Sequence, residues 1–288
     1  MKRRFKIRIK PASVAAYVFM LLLVGFTALP LVYMISTAFK PLNELLAFPP
    51  IFFVRAPTLK NFSDLFIALS TTEVPFLRYV LNSVFVTAVT VVGVIFVSSL
   101  GAYGLAKHRP KGSGFIMTLI ISALMFSPYV IQIPSYLIIG KLGMMDSYLA
   151  LILPKVAVAF NFFLMERFMI EVPDTLIEAA RIDGARELKI FWKIIMPLLR
   201  PAWATLIVFS FTTVWNDYLG PLIYITDPAE KTLPLALQLV SGGVGIANIA
   251  RAGAFAAATF LITMPTIIIF VTMQSRVMKT MAHSGIKA

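Results

Sequence analysis

The fold of this chain is decided by a short charged stretch, Glu178-Ala179-Ala180-Arg181-Ile182-Asp183-Gly184-Ala185, which lies between two hydrophobic segments. From Glu171 to Met196 no apolar run approaches the roughly 20 residues that a membrane-crossing helix needs. We therefore expect a loop over residues 171–198 that lies in the cytoplasm or on the membrane surface. Its residues predict a pair of short helices that meet at a glycine.

The ends of the two helices carry local signals. Pro173 stops the preceding segment, and Thr175-Leu176-Ile177-Glu178 has the form of a capping box, in which each polar side chain satisfies a free amide at the helix start. Gly184 fits the position after a helix end, where the backbone φ is positive. A second helix ending at Pro197 is predicted by apolar residues at helical spacing, which are Leu188, Phe191, Ile194 and Ile195.

Composition indicates a chain that is solvated mostly by lipid. Hydrophobic residues make up 59% of the 288 positions and charged residues only 14%, against roughly 45–50% and about 25% in soluble domains. The net charge of +13 does not predict nucleic-acid binding, because the cations lie beside hydrophobic segments instead of forming one basic face. With no cysteine and two histidines, the chain offers no thiolate site, and a histidine-based metal centre or a bound cofactor is not expected.

Six windows are long and apolar enough to cross a bilayer, so we predict an all-α polytopic fold with a single transmembrane domain over residues 1–288. The windows are about Val14 to Ala38, Val80 to Tyr103, Phe115 to Ile138, Tyr148 to Ile170, Trp203 to Ile225 and Phe255 to Gln274. Most of the 26 lysines and arginines fall at the two termini and in the second-to-third and fourth-to-fifth connections. This bias predicts that both termini are cytoplasmic.

Polar residues within the windows are candidates for a translocation path. Asp217 is the deepest acid, and aromatic faces beside amide and carboxylate groups suit sugar rings and hydroxyls; the candidates are Trp215, Asn216, Asp217 and Tyr218. Gln132, bracketed by Pro128 and Pro134, is a further candidate. Interhelical hydrogen bonding, or contact with a partner subunit, remains an alternative for Asp217. Lys155 is expected to extend its ammonium towards the membrane surface.

The chain carries no sign of its own catalysis. It lacks the G-x-x-x-x-G-K-[ST] loop that cradles nucleotide phosphates, and no Ser/His pair or second aspartate accompanies Asp217 at membrane depth. We therefore expect a non-catalytic protein, and if transport is active, ATP must be hydrolysed on separate subunits.

Residue identities in the charged loop resemble the "EAA" loop of permease subunits in binding-protein-dependent ABC importers. The resemblance lies in Glu178-Ala179-Ala180, Gly184, Ile194 and Pro197, and the flanking Pro173-Asp174 and Pro197-Leu198-Leu199-Arg200-Pro201 resemble the carbohydrate branch. Within that branch the chain is similar to the smaller, six-span permease of maltose-type systems.

The resemblance implies an assembly in the bacterial inner membrane. It implies a second, larger permease, two ATP-binding subunits, an extracytoplasmic sugar-binding protein and a carbohydrate substrate. The ATP-binding subunits would contact Glu178, Ala179, Ala180, Arg181, Asp183, Gly184 and Ala185, and the flexible Gly242, Gly243 and Gly245 would reach the sugar-binding protein. A secondary transporter or channel is the alternative class, but it leaves the loop unexplained and no internal repeat is visible.

Overall fold

The described part of the chain is entirely helical. The computed structural model describes residues 11–70, 74–241 and 247–285, and within these ranges no β-strand occurs, which confirms the all-α fold. The α-helices are α1 Pro11–Ala38, α2 Leu42–Leu45, α3 Lys60–Ser70, α4 Phe76–Lys107, α5 Ser113–Ala123, α6 Pro128–Lys141, α7 Tyr148–Val156, α8 Ala159–Glu171, α9 Asp174–Ile182, α10 Glu187–Ile190, α11 Met196–Leu198, α12 Arg200–Trp215, α13 Leu219–Tyr224, α14 Leu233–Ser241 and α15 Ala247–Gly285. A π-helical segment, Phe191–Ile195, joins α10 to α11.

Three helical stretches are long and apolar enough to cross a membrane by themselves, and they are Val14–Ala38, Phe76–Lys107 and Ala252–Ser275. Three further pairs of helices pass the same test only together, because each pair is bent at a short break. The chain therefore contains several helices that are apolar enough for a membrane protein. The count of six spans stays a prediction.

The third and fourth windows correspond to bent pairs. The α5–α6 pair bends by 106°, and α6 begins at Pro128, whose missing amide hydrogen is tolerated at a helix start. The α7–α8 pair bends by 42° after Val156, two residues beyond Pro154. In both cases a proline lies close to the break, as expected for a residue that removes a backbone donor.

The fifth window, predicted from Trp203 to Ile225, differs from the structure. Its helix α12 ends at Trp215, and a separate helix, α13, begins at Leu219. The break is stabilised by Asp217, whose Oδ1 accepts hydrogen bonds from the amides of Leu219 and Gly220, each at 3.1 Å. The carboxylate thus satisfies amides at the start of α13 that would otherwise lack a helical partner.

The chain divides into two compact units. One comprises residues 1–67 and 243–261, and there the Asn61 side-chain amide donates to the carbonyls of Ala38, the last residue of α1, and of Lys40. The other comprises residues 68–242 and 262–288, and its organising helix is α4, which packs against α7, α8 and α12. The expectation of a single transmembrane domain stays a prediction.

Close packing of α4 depends on small residues. A Cβ added at Gly101 would lie 2.5 Å from Cε2 of Phe162 on α8, and one added at Gly93 would lie 2.9 Å from Cγ2 of Val156 on α7. Real Cβ atoms do not approach carbon so closely, so these glycines permit the approach of the neighbouring helices. At Gly104, one turn nearer the end of α4, a Cβ would meet no atom within 4 Å.

We expect Gly101→Ala to destabilise the protein, by about 1–3 kcal/mol relative to Gly104→Ala, because the added methyl group overpacks the contact with Phe162. Thermal unfolding of the purified protein in detergent measures the difference. Equal stability of the two variants would show that α4 and α8 do not pack as described.

Candidate functional site

The loop between α8 and α12 folds as a short amphipathic helix followed by a tight glycine turn. Helix α9 ends at Ile182, and Gly184 follows with φ +75°, which confirms the predicted positive φ. The Gly184 amide donates to the Arg181 carbonyl at 3.0 Å, and the Ala185 amide donates to the Ala180 carbonyl at 2.9 Å. These two bonds form a Schellman motif, and it reverses the chain at a position where a side chain would be strained.

The predicted capping box is wrong. Helix α9 begins at Asp174, directly after Pro173, and no side chain caps its start. Thr175 and Glu178 therefore lie inside the helix. The acid of the first turn is Asp174, which also suits the positive end of the helix dipole.

The second helix of the loop runs continuously from α10 through the π-helical segment to α11 and bends by 74° into α12. Of the four apolar residues that predicted this helix, Phe191 and Ile195 are buried, Ile194 is partly buried and Leu188 is exposed. The π-helical segment lies just before Pro197, where the Met196 amide donates to the Phe191 carbonyl, five residues back. A proline removes the α-helical bond of its own position, and widening of the preceding turn accommodates it.

The two faces of α9 differ. Ile177 and Ala180 are buried in one apolar cluster with Ala102, Ala106 and Met169. The opposite face is open, with Ile182 87% exposed. Of the residues predicted to couple to a partner, Ala180 is buried, Ala185 is half-buried, and the exposed ones are Glu178, Ala179, Arg181, Asp183 and Gly184.

One contact not foreseen from the sequence ties the start of α9 to the end of α4. Lys107, the last residue of α4, donates through Nζ to Asp174 Oδ1 at 2.7 Å and also to the Val172 carbonyl. The Lys107 side chain is only 3% exposed. The hydrogen bond from Lys107 holds the pKa of Asp174 below its usual value, so the carboxylate stays charged at neutral pH.

A second unforeseen contact centres on Glu187, at the start of α10. Its Oε2 accepts from the Tyr103 hydroxyl at 2.6 Å and lies 3.4 Å from His108 Nε2, and its Oε1 accepts from Arg181 Nε at 2.9 Å. The hydrogen bonds from Tyr103 and Arg181 lower the pKa of Glu187. The stabilisation is therefore present above the ordinary glutamate pKa and is lost only as the pH falls through the lowered value. No sequence signal links positions so far apart in the chain.

The polar residues proposed for a path lie at the break between α12 and α13. Asp217 forms an ion pair with Lys155 of α7, and the two side chains are 18% and 23% exposed. Trp215 Nε1 donates to the Ile262 carbonyl at 2.9 Å, and Asn216 Nδ2 donates to Thr266 Oγ1 at 3.3 Å. Lys155 therefore pairs internally instead of extending to the membrane surface. The interhelical alternative for Asp217 is supported by this pair.

Of the remaining candidates, Tyr218 lies at the same break, whereas Gln132 lies on α6. Tyr218 is exposed and Gln132 is half-exposed. Among the described residues, Gln132 makes no hydrogen bond or ion pair with the residues between α12 and α13. Gly242, Gly243 and Gly245 lie outside the described residues. Within the described ranges no cluster of three or more histidine or acidic side chains could hold a metal ion.

Polar side chains at the start of α4 hold another segment of the same unit. Asn82 Nδ2 donates to the carbonyls of Ala229 and Lys231 at 2.8 and 2.9 Å. Asn82 Oδ1 accepts from the Tyr148 hydroxyl at 2.8 Å, and Ser83 Oγ accepts from the Leu233 amide at 2.7 Å. Hydrogen bonds therefore fix the segment before α14 on the first turns of α4.

Comparison with known proteins finds similarity to inner-membrane transport components along most of the chain. The family model described as "Binding-protein-dependent transport system inner membrane component" matches residues 93–282. The polygalacturonan/rhamnogalacturonan transport system permease protein YtcP of Bacillus subtilis (strain 168) is 34% identical over 231 residues, which cover 79% of this chain and 78% of that protein.

Two further similarities extend over nearly the full length. The probable ABC transporter permease protein y4oR of Sinorhizobium fredii is 36% identical over 260 residues, 90% of each chain. A chain from the crystal structure of a bacterial ABC transporter involved in the import of the acidic polysaccharide alginate superposes with a TM-score of 0.78. That match covers 93% of this chain and 98% of the other at 21% identity, so it supports the fold alone.

We expect Asp217→Asn to destabilise the protein, because asparagine keeps the acceptor for the Leu219 and Gly220 amides but leaves the Lys155 ammonium unpaired. Loss of a mostly buried partner costs on the order of 1–3 kcal/mol at this partial exposure. Thermal unfolding in detergent measures the loss, and the double variant Lys155→Met with Asp217→Asn should recover most of it. A single variant as stable as the parent would contradict the pairing.

Proposed function

Because this chain belongs to the family of binding-protein-dependent transport system inner membrane components, we propose that it is the permease subunit of an ATP-driven ABC importer for a carbohydrate. The observation that carries the proposal is the loop formed by α9, the Gly184 turn and the second helix. It presents an exposed face with Glu178, Ala179 and Ile182. A short, rigid helix with one face buried and the other open is suited to docking on a soluble subunit.

The proposed partners follow from that role. Two ATP-binding subunits would provide the surface on which α9 docks. A second, larger permease would complete the translocation path. An extracytoplasmic sugar-binding protein would deliver the substrate, with Gly242, Gly243 and Gly245 as its candidate contacts. The family consists of transport subunits, so the energy for import would come from ATP hydrolysed on the partner subunits.

The substrate class rests on the similar proteins. One relative is a permease for polygalacturonan or rhamnogalacturonan, and transfer of that role to this chain makes a carbohydrate the proposed cargo. The side chains at the break between α12 and α13, with Gln132, remain candidates for the path. Among them Tyr218 is the exposed aromatic group, whereas Asp217 is occupied by Lys155.

The proposed orientation places the loop and both termini in the cytoplasm of a bacterial cell with a multi-pass protein in its inner membrane. The distribution of lysine and arginine supports this orientation. It also brings the loop to the side where ATP is available.

Coupling would be mechanical. When the ATP-binding subunits close on nucleotide, α9 would move with the surface that holds it and shift the membrane helices between inward-open and outward-open states. Such a change requires that the two states make different contacts with the ATP-binding subunits.

The test is purification of the tagged chain from the membranes of its source organism, followed by reconstitution of the complex in liposomes. We expect an ATP-binding subunit and a second permease to copurify, and ATP hydrolysis to rise when the loaded sugar-binding protein is added. Sugar uptake without any ATP-binding subunit would instead support a secondary transporter or channel.

We expect Gly184→Val to uncouple ATP hydrolysis from sugar uptake, because valine at φ +75° strains the turn that sets the direction of α9. Gly143→Val is the matched control, since Gly143 also has positive φ (+65°) but lies between α6 and α7. Uptake and hydrolysis in reconstituted liposomes provide the measurement, and membrane insertion should persist in both variants. Full coupling in Gly184→Val would remove the role of this turn.

A further inference from the structure

We infer that α4 is the membrane helix that follows the motion of α9, because both ends of α9 are tied to the last two turns of α4. This inference rests on the proposed function of the loop. Lys107 and Glu187 are then positioning residues for transport: Lys107 holds the start of α9, and Glu187 holds its end through Arg181.

The tie at the start of α9 joins a buried ammonium to a carboxylate that is 56% exposed. The Lys107 ammonium is almost fully buried and donates to Asp174 and to the Val172 carbonyl. A buried ammonium is costly unless it is paired, so the arrangement penalises any movement that separates Lys107 from this corner. The corner includes the last residues before α9, and α9 therefore cannot shift there without α4.

The tie at the end of α9 passes through one carboxylate. Glu187 accepts from Tyr103 on α4 with one oxygen and from Arg181 on α9 with the other. Charge-assisted hydrogen bonds of 2.6 and 2.9 Å are short and directional. Glu187 belongs to α10, so this carboxylate joins three elements: α4, α9 and the helix that continues towards α12.

Apolar packing fills the space between the ties. Ile177 and Ala180 on α9 share a buried cluster with Ala102 and Ala106 on α4. One contact alone would allow α9 to pivot about it. Two polar ties at opposite ends, with close packing between them, resist rotation as well as translation.

A motion of α9 would also be transmitted to the other end of α4. The first turns of α4 hold the segment before α14 through Asn82 and Ser83. A displacement of α9 that moves α4 would therefore also reach residues 229–233. The candidate contacts for the sugar-binding protein follow α14 in the chain.

A distance measurement tests whether α9 and α4 move together. The chain has no cysteine, so spin labels can be placed on Leu176→Cys in α9, outside the residues proposed to dock, and on Leu100→Cys in α4, both exposed positions. In the reconstituted complex we expect one narrow distance distribution, the same without nucleotide and with ATP trapped by vanadate. Introduction of Glu187→Gln should broaden it in the trapped state. A change of the mean distance on trapping in the parent complex would overturn the inference.

Transport provides the second measurement. Glu187→Gln and Asp174→Asn each weaken one tie, and we expect sugar imported per ATP hydrolysed to fall on the order of fivefold or more in the double variant. Glu171→Gln is the control, because Glu171 is an exposed acid that makes no ion pair among the described residues. Assembly of the complex should be unchanged in all three variants.

The outcomes separate the two proposals. If the parent complex couples hydrolysis to uptake and the double variant does so equally well, the role of α4 is wrong and the importer function stands. If no ATP-binding subunit copurifies with the chain, the importer function itself is wrong.

Discussion

Removing a polar group from water is costly unless it is paired within the protein, and this cost favours particular contacts between the elements of this chain. Lys107 forms an ion pair with Asp174, Lys155 forms one with Asp217, and Asn82 donates to backbone carbonyls of the segment before α14. Each pairing joins residues more than 60 positions apart. In a chain that is 59% hydrophobic, the apolar surface gives little directional information, because one apolar helix packs on another in many ways. The few polar contacts select among them.

The loop after α8 shows how one short helix can serve two purposes. Its inward residues, Ile177 and Ala180, are small or branched and belong to the core beside α4. Its outward residues leave an open surface, which is the one proposed to dock on an ATP-binding subunit. The alanine pair divides between the two tasks: Ala179 is exposed and Ala180 is buried. The motif therefore includes an intramolecular contact as well as the exposed residues of the proposed docking face.

Sequence reasoning succeeded where the controlling physics is local. The all-α fold follows from apolar runs, and the positive φ of Gly184 follows from the residue type at a helix end. It failed where distant residues decide the outcome. The predicted capping box has Thr175 as the residue before the helix, but α9 begins two residues earlier than that, at Asp174, whose partner Lys107 lies 67 positions away. The fifth window is mostly apolar and predicts one helix, but α12 ends at Trp215, and Asp217 accepts from the Leu219 and Gly220 amides at the start of α13. Tyr103 and Glu187 gave no signal, since neither forms a motif by itself.

The length of α4 has a mechanical consequence. At about 1.5 Å per residue, its 32 residues extend about 48 Å, whereas the hydrocarbon core of a bilayer is about 30 Å thick. Several turns of α4 therefore project beyond the lipid tails, where their side chains can contact neighbouring loops. Such a rod acts as a lever: tilting it by about 10° about its midpoint swings each tip by about 4 Å, in opposite directions. A modest push on one side of the membrane thus becomes a displacement of atomic size on the other, with no helix needing to unfold.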